Sequence, residues 1–129
     1  LAAPSEAPRM PKAKGQIESQ ISEALIKFER EYMGRGPEET KTYIVEDIIV
    51  VRLKRLLTPA EQQLAQGGAD AQGRTLVKQV RSQLIEKARP LLEAVISDIT
   101  GRRVVCLHTD ISTVTGERVI VFTMDGWIE

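Results

Sequence analysis

Two β-branched runs separated by a turn signal constrain this chain more than any other feature. The first run covers Val104–Ile111 and the second covers Arg118–Met124. Between them lies Gly116, which can take the positive φ that a type I turn with a G1 bulge requires. We therefore predict a β-hairpin within residues 101–125. Because a lone hairpin is only marginally stable in water, it needs a third strand and a helical layer to bury its apolar face.

Side chains alternate between the two faces of a strand, so the first run also predicts what each face carries. The apolar face is expected to carry Val105, Leu107, Thr109 and Ile111. The opposite face is expected to carry Val104, Cys106, His108 and Asp110.

Apolar residues that recur every three to four positions predict two amphipathic helices. The first covers residues 16–33 and ends at the glycine and proline run of residues 34–37. The second covers residues 72–99, with Asp70 as a candidate cap. Its main apolar stripe is predicted to contain Val77, Val80, Leu84, Ala88, Leu91, Val95 and Ile99, widened by Leu76, Ile85, Leu92 and Ile96. Pro90 lies inside this segment, and we expect a kink near residues 85–89; the alternative is two separate helices.

A short helix is predicted between these two, because Thr58-Pro59-Ala60-Glu61 forms a capping box, and Gly67-Gly68 would end it. Residues 42–53 read as one strand interrupted by Glu46 and Asp47. The run Ile48–Val51 is apolar on both faces of that strand. This pattern favours a central strand covered on both sides, or a sheet face used for self-association.

These elements predict an α+β fold, a two-layer sandwich in which a three-stranded antiparallel sheet, the hairpin plus one strand, packs with an N-terminal helix and a long central helix. Residues 15–129 are expected to form a single domain. Residues 1–14, rich in proline and small side chains, are expected to form a mobile arm, and they do not match a signal peptide.

Composition restricts the class of protein. The chain has 129 residues, enough for one core without metal or disulfide, and 18 basic against 18 acidic residues. The chain has no excess of positive charge that would argue for a nucleic-acid partner. A single cysteine fits a reducing compartment, so we predict a cytoplasmic protein. The longest apolar run is far shorter than the about 20 residues that span a bilayer, so no direct membrane insertion is predicted.

Cys106, His108 and Asp110 are the candidates for chemistry, since a nucleophile, a base and a carboxylate would project side by side. A catalytic cysteine normally takes its base from another element, and a metal ion needs three or four ligands. We therefore interpret this face as a dimer or partner contact, and we expect no cofactor, metal ion or catalytic residue. The thiol or metal enzyme stays as an alternative.

A second candidate surface is basic. Arg74, Lys78 and Arg81 share one helical face, and Arg102 and Arg103 could extend it. Such a face could contact the phosphates of RNA or anionic lipid heads. The alternative is an ordinary solvated face, because aromatic residues for base stacking are scarce.

Several segments resemble the MpsC family of small soluble bacterial proteins, and the resemblance extends from Gly15 to Met124. They are Gly15-Gln16-Ile17-Glu18, Leu76-Val77-Lys78-Gln79-Val80-Arg81, Ala88-Arg89-Pro90-Leu91-Leu92, Leu107-His108-Thr109-Asp110 and Thr115-Gly116-Glu117-Arg118. The family is named after a sodium-translocating, membrane-potential-generating system, whose membrane subunits carry the ions. The resemblance implies a cytoplasmic accessory protein, and the family has no established catalytic or ion-binding residues to assign to this sequence.

We therefore expect a non-enzymatic homodimer that acts by binding a partner, such as an ion- or bicarbonate-handling membrane complex. The alternative function is a small RNA-binding or ribosome-associated module that uses the basic face around Arg74, Lys78 and Arg81.

Overall fold

The C-terminal hairpin forms with the predicted bounds, within a computed structural model that describes residues 13–66 and 72–128. In these residues the chain forms helices α1 Lys14–Tyr32, α2 Pro59–Ala65 and α3 Gln72–Thr100, and strands β1 Glu39–Val45, β2 Ile48–Lys54, β3 Val104–Ile111 and β4 Arg118–Met124. The strands make one antiparallel sheet in the order β1-β2-β4-β3. The predicted α+β fold is confirmed, whereas the sheet has four strands and the predicted number of three is wrong.

The extra strand comes from the segment that was predicted as one strand. Glu46 and Asp47 do not interrupt it but turn the chain, so that Val45 pairs with Ile48 across a two-residue loop. Glu46 has a φ of 59°, a conformation that normally favours glycine. Because neither glycine nor asparagine occupies this turn, the sequence carries no hairpin signal here.

A β-bulge corrects the predicted faces of β3. Val104 pairs with Met124, and Cys106 pairs with Thr123, the neighbour of Met124 on β4. Val105 is therefore the extra residue of the bulge. Val105 is consequently 63% exposed, while Val104 packs against the core. Beyond the bulge the alternation holds, since Leu107 and Ile111 are buried.

Helix α3 is continuous through Pro90, so the alternative of two separate helices is wrong. Its buried side contains Val77 from the predicted main stripe and Ile85, Leu92 and Ile96 from the residues predicted to widen it. Arg81 is the one buried residue of this helix that was not predicted to lie there. Much of the predicted stripe faces outward and remains exposed, namely Leu76, Val80, Leu84 and Leu91. Both sets of residues have helical spacing, so periodicity alone could not decide between them.

The core lies between the helices and one face of the sheet. Helix α1 packs on β1 and α3, and α2 packs on α3. The apolar residues of the core cluster come from every element except α2, and they include Leu25 of α1, Leu53 of β2 and Phe122 of β4. The capping box of Thr58 and Glu61 forms as predicted. Residues 1–12, Gly67-Gly68 and Asp70 lie outside the described residues, so the predicted arm, helix stop and cap stay predictions.

Candidate functional site: the open face of the sheet

Within residues 13–66 and 72–128, the helices cover one face of the sheet and leave the other, here called the open face, uncovered. Strand register places its side chains in three rows that each cross β1, β2, β4 and β3. The first row is Val45, Ile48, Thr123 and Cys106. The central row is Tyr43, Val50, Val121 and His108. The third row is Lys41, Arg52, Val119 and Asp110.

The centre of the open face is apolar. Val50 pairs with Val121 on the two inner strands, and both are half-buried by their neighbours alone. Tyr43 and Val45 on the edge strand β1 are 44% and 58% exposed. The solvent face of an antiparallel sheet is normally polar, so this composition requires an explanation. The prediction that β2 is apolar on both sides is confirmed, but none of the helices α1, α2 and α3 covers its second side.

Charges are segregated along the third row. Lys41 and Arg52 lie towards β1, and Asp110 lies on β3 at the other end. Arg52 donates from Nε to Glu117 Oε2 at 2.7 Å, and this hydrogen bond raises the pKa of Arg52. The backbone N–H of Ile111 and the ammonium of Lys78, 3.2 Å away, lower the pKa of Asp110. Lys41, Arg52, Lys78 and Asp110 are exposed and Glu117 is partly exposed, so these pairs within the chain contribute little to stability.

Cys106 and His108 lie side by side on the open face, with 3.6 Å between Sγ and Nε2. Both belong to the edge strand β3, so the base does not come from a second element. Asp110, the third candidate, interacts instead with Lys78. Over residues 13–66 and 72–128, no three His, Cys, Asp or Glu side chains are grouped so that they could hold a metal ion.

The structure does not assemble the predicted basic face. Lys78 is exposed near the start of α3, while Arg102 and Arg103 are exposed beyond its end, about 30 Å further along the helix axis. Arg74 is only partly exposed. Arg81 is 1% exposed, so its assignment to a surface face is wrong. These basic residues do not form a single patch, because Arg74 and Lys78 lie near one end of α3 and Arg102 and Arg103 lie beyond the other.

Arg81 belongs to an ion cluster between the helices and the sheet. Its Nη2 and Nε donate to Glu61 Oε1 and Oε2 at 2.6 and 2.9 Å, and its Nη2 also donates to the carbonyl of Leu56 at 3.0 Å. Its Nη1 donates to Glu29 at 3.4 Å, and Arg118 Nε lies 4.0 Å from the other oxygen of Glu29. The cluster therefore joins α1, α2, α3 and β4.

The members of the ion cluster differ in how burial changes their pKa. Burial raises the pKa of Glu29, although Arg118 and Arg81 oppose it. Burial lowers the pKa of Arg118. Burial also acts to raise the pKa of Glu61, but the hydrogen bonds from Arg81 and Thr58 outweigh it, and the net shift is downward. No sequence signal identified this cluster, because charged residues at helical spacing normally indicate a solvated face.

A cleft of about 270 Å³ lies where α2 meets the β3–β4 turn. Its cationic groups already have partners within the chain. Arg35 Nη1 donates to the carbonyl of Leu57 at 3.1 Å, and Arg55 Nε lies 3.4 Å from Glu38 Oε1. Gly116 closes one side with a φ of 76°, the positive value predicted for it. The two arginine side chains that line the cleft are therefore engaged by groups of the same chain, and the cleft does not concentrate positive charge.

The part of the chain that the structure describes defines a small two-layer α+β protein in which the helices leave one sheet face uncovered. The chain belongs to the MpsC family, whose model, described as a Na+-translocating membrane potential-generating system, matches residues 13–126. It is 44% identical over 95 residues to the uncharacterized protein YbcI of Bacillus subtilis strain 168, which covers 74% of each chain. No solved structure matches it significantly. None of the helices in the described ranges has the length and apolar character needed to cross a membrane.

Proposed function

We propose that this protein is a non-enzymatic, cytoplasmic accessory protein that acts by binding other proteins through the open face. The observation that carries the proposal is the apolar centre of that face, where Tyr43, Val50 and Val121 lie on the solvent side of the sheet. Contiguous exposed apolar surface marks interaction sites in monomeric folds.

The family description supports a membrane complex as the partner, since it names a system that generates a membrane potential by moving sodium ions. The residues of the open face favour an accessory role over a catalytic one. We assign no catalytic role to Cys106 and His108, because they share one edge strand and Asp110 is engaged by Lys78.

Affinity capture from solubilised membranes of the native host tests this function. The bait would be the wild-type chain, with Tyr43→Asp and Val50→Asp as variants that place a charge on the open face. Val114→Asp is the matched control, because Val114 is 89% exposed but lies in the β3–β4 turn. Circular dichroism checks that each variant is folded.

We expect the wild type and Val114→Asp to retain the same membrane proteins, including subunits of an ion-translocating complex. Both open-face variants should lose them. Capture that is equally strong with Tyr43→Asp and Val50→Asp would contradict a binding role for the open face.

A further inference from the structure

We infer that the open face is covered by a second copy of this chain, related by a two-fold axis that runs parallel to the strands between β2 and β4. This inference rests on the proposed function, because it concerns the same surface: the membrane partner would bind the open face of the monomer that a reversible dimer releases. Its support is the order of residues across each row.

Rotation about that axis reverses the strand order and keeps each row at its own height. Strand β1 of one copy then lies over β3 of the other, and β2 lies over β4. In the third row, Lys41 therefore faces Asp110 of the second copy, and the two-fold repeats this pair on the other side. In the centre, Val50 faces Val121 of the second copy, so apolar side chains meet apolar side chains.

The other in-plane axis, perpendicular to the strands, gives a poorer match. It would keep β1 over β1 and exchange the first row with the third. Lys41 would then lie over Val45 of the second copy, and Asp110 would lie over Cys106. Burial of a charge against an apolar side chain is costly. The axis parallel to the strands makes one such contact, Arg52 over Val119 of the second copy, and Arg52 keeps its ion pair with Glu117 of its own chain. The perpendicular axis gives neither Lys41 nor Asp110 an opposite charge in the second copy, so the register favours the axis parallel to the strands.

The size of the face sets the expected strength of the dimer. Four strands of about seven residues present roughly 400 Å² of plan area per copy, given the spacings within a sheet. This is smaller than a standard interface of about 800 Å² per partner. A face of this size is typical of weak or transient interfaces, so we expect a reversible dimer.

Charge reversal tests the pairing. Sedimentation velocity over a concentration series would compare the wild type with Lys41→Glu, with Asp110→Lys and with both changes in one chain. Each single reversal places like charges together twice in the dimer, and we expect the dissociation constant to rise by about tenfold or more. The double variant restores both pairs and should return to within about threefold of the wild type. Lys87→Glu, on the exposed side of α3, is the matched control and should leave the dissociation constant unchanged.

A wild-type protein that stays monomeric at all concentrations would overturn the inference. So would a double variant that is weaker than either single variant, since the changes would then act independently. The proposed function survives a monomer if the open-face variants still lose the captured membrane proteins. Conversely, a dimer with the predicted charge rescue but unaltered capture by the open-face variants supports the inference and contradicts the proposed function.

Discussion

Arg81 of α3 and Glu61 of α2 form a two-pronged ion pair, with both contacts at 2.9 Å or shorter. Glu61 also caps its own helix through Thr58, so one carboxylate fixes the start of α2 and its docking on α3. The same arginine reaches Glu29 of α1. This pair is the centre of the ion cluster and explains why a charged residue occupies the buried stripe of α3.

Replacement of Arg81 by methionine should destabilise the fold strongly. The change leaves Glu29 buried with Arg118 as its remaining cation, 4.0 Å away. Removal of one partner from a buried ion pair typically costs about 3 to 5 kcal/mol. Lys78→Met is the matched control, because Lys78 is exposed on the same helix, and it should change the free energy of unfolding by less than about 0.5 kcal/mol. Urea denaturation measures both, and equal effects of the two changes would contradict a buried role for Arg81.

The lowered pKa of Glu61 predicts a component of stability that depends on pH. The folded state holds this carboxylate charged below its ordinary value of 4.5, so its contribution is fully present above that pH. It is lost as the pH falls through the folded-state pKa. Glu29 acts in the opposite sense, because its raised pKa makes its charged form unfavourable in the fold as pH rises above 4.5.

Glu61→Gln isolates the first of these effects. The variant cannot ionise at this position, so its free energy of unfolding should fall less steeply than that of the wild type below pH 4.5. The difference between the two proteins should be largest near neutral pH and shrink in acid. A constant difference from neutral pH down to about pH 3 would show that Glu61 does not titrate with a lowered pKa.

The buried side of α3 predicts a large loss of stability at Ile85 and a small one at the adjacent Leu84. Ile85 is 2% exposed, and its replacement by alanine should cost about 2 to 5 kcal/mol through lost burial and a cavity. Leu84 is 40% exposed, so Leu84→Ala should stay within about 0.5 to 1 kcal/mol. Thermal or urea unfolding measures the pair directly. A larger cost at Leu84 than at Ile85 would restore the stripe expected from the sequence.

Local sequence signals predicted much of the fold. The hairpin of β3 and β4 was predicted with its bounds because Gly116 marks the turn and the β-branched runs are unambiguous. The Thr58 and Glu61 capping box fixed the start of α2. The β1–β2 turn was missed because Glu46 adopts a positive φ without a glycine signal, and such a conformation is stabilised by the surrounding sheet.

The surfaces were harder to predict because they depend on tertiary packing. Helix α3 has apolar residues around much of its circumference, and only the docking of α1, α2 and the sheet selects the side of Ile85 and Ile96. The same docking buries Arg81, which removes it from the predicted basic face. The open face was anticipated from the doubly apolar β2 and from Cys106, His108 and Asp110. The three rows of side chains on this face could not be predicted, because they depend on the strand order, which no local sequence pattern encodes.

A cysteine cross-link across the open face tests the central claim most directly. Val45 of β1 and Cys106 of β3 lie in the same row but are separated by two strands within one chain, about 14 Å at the usual strand spacing. In the inferred dimer, Val45 lies over Cys106 of the second copy. Because Cys106 is the one native cysteine, Val45→Cys adds a single new thiol opposite it. A short bismaleimide, with a spacer comparable to the about 10 Å between packed sheets, can join the two.

We predict that Val45→Cys gives a covalent dimer at micromolar protein concentration, and that the wild type and Val114→Cys give only monomer under the same conditions. A covalent dimer that forms equally with Val114→Cys, or no covalent dimer with Val45→Cys, would contradict the pairing of two open faces.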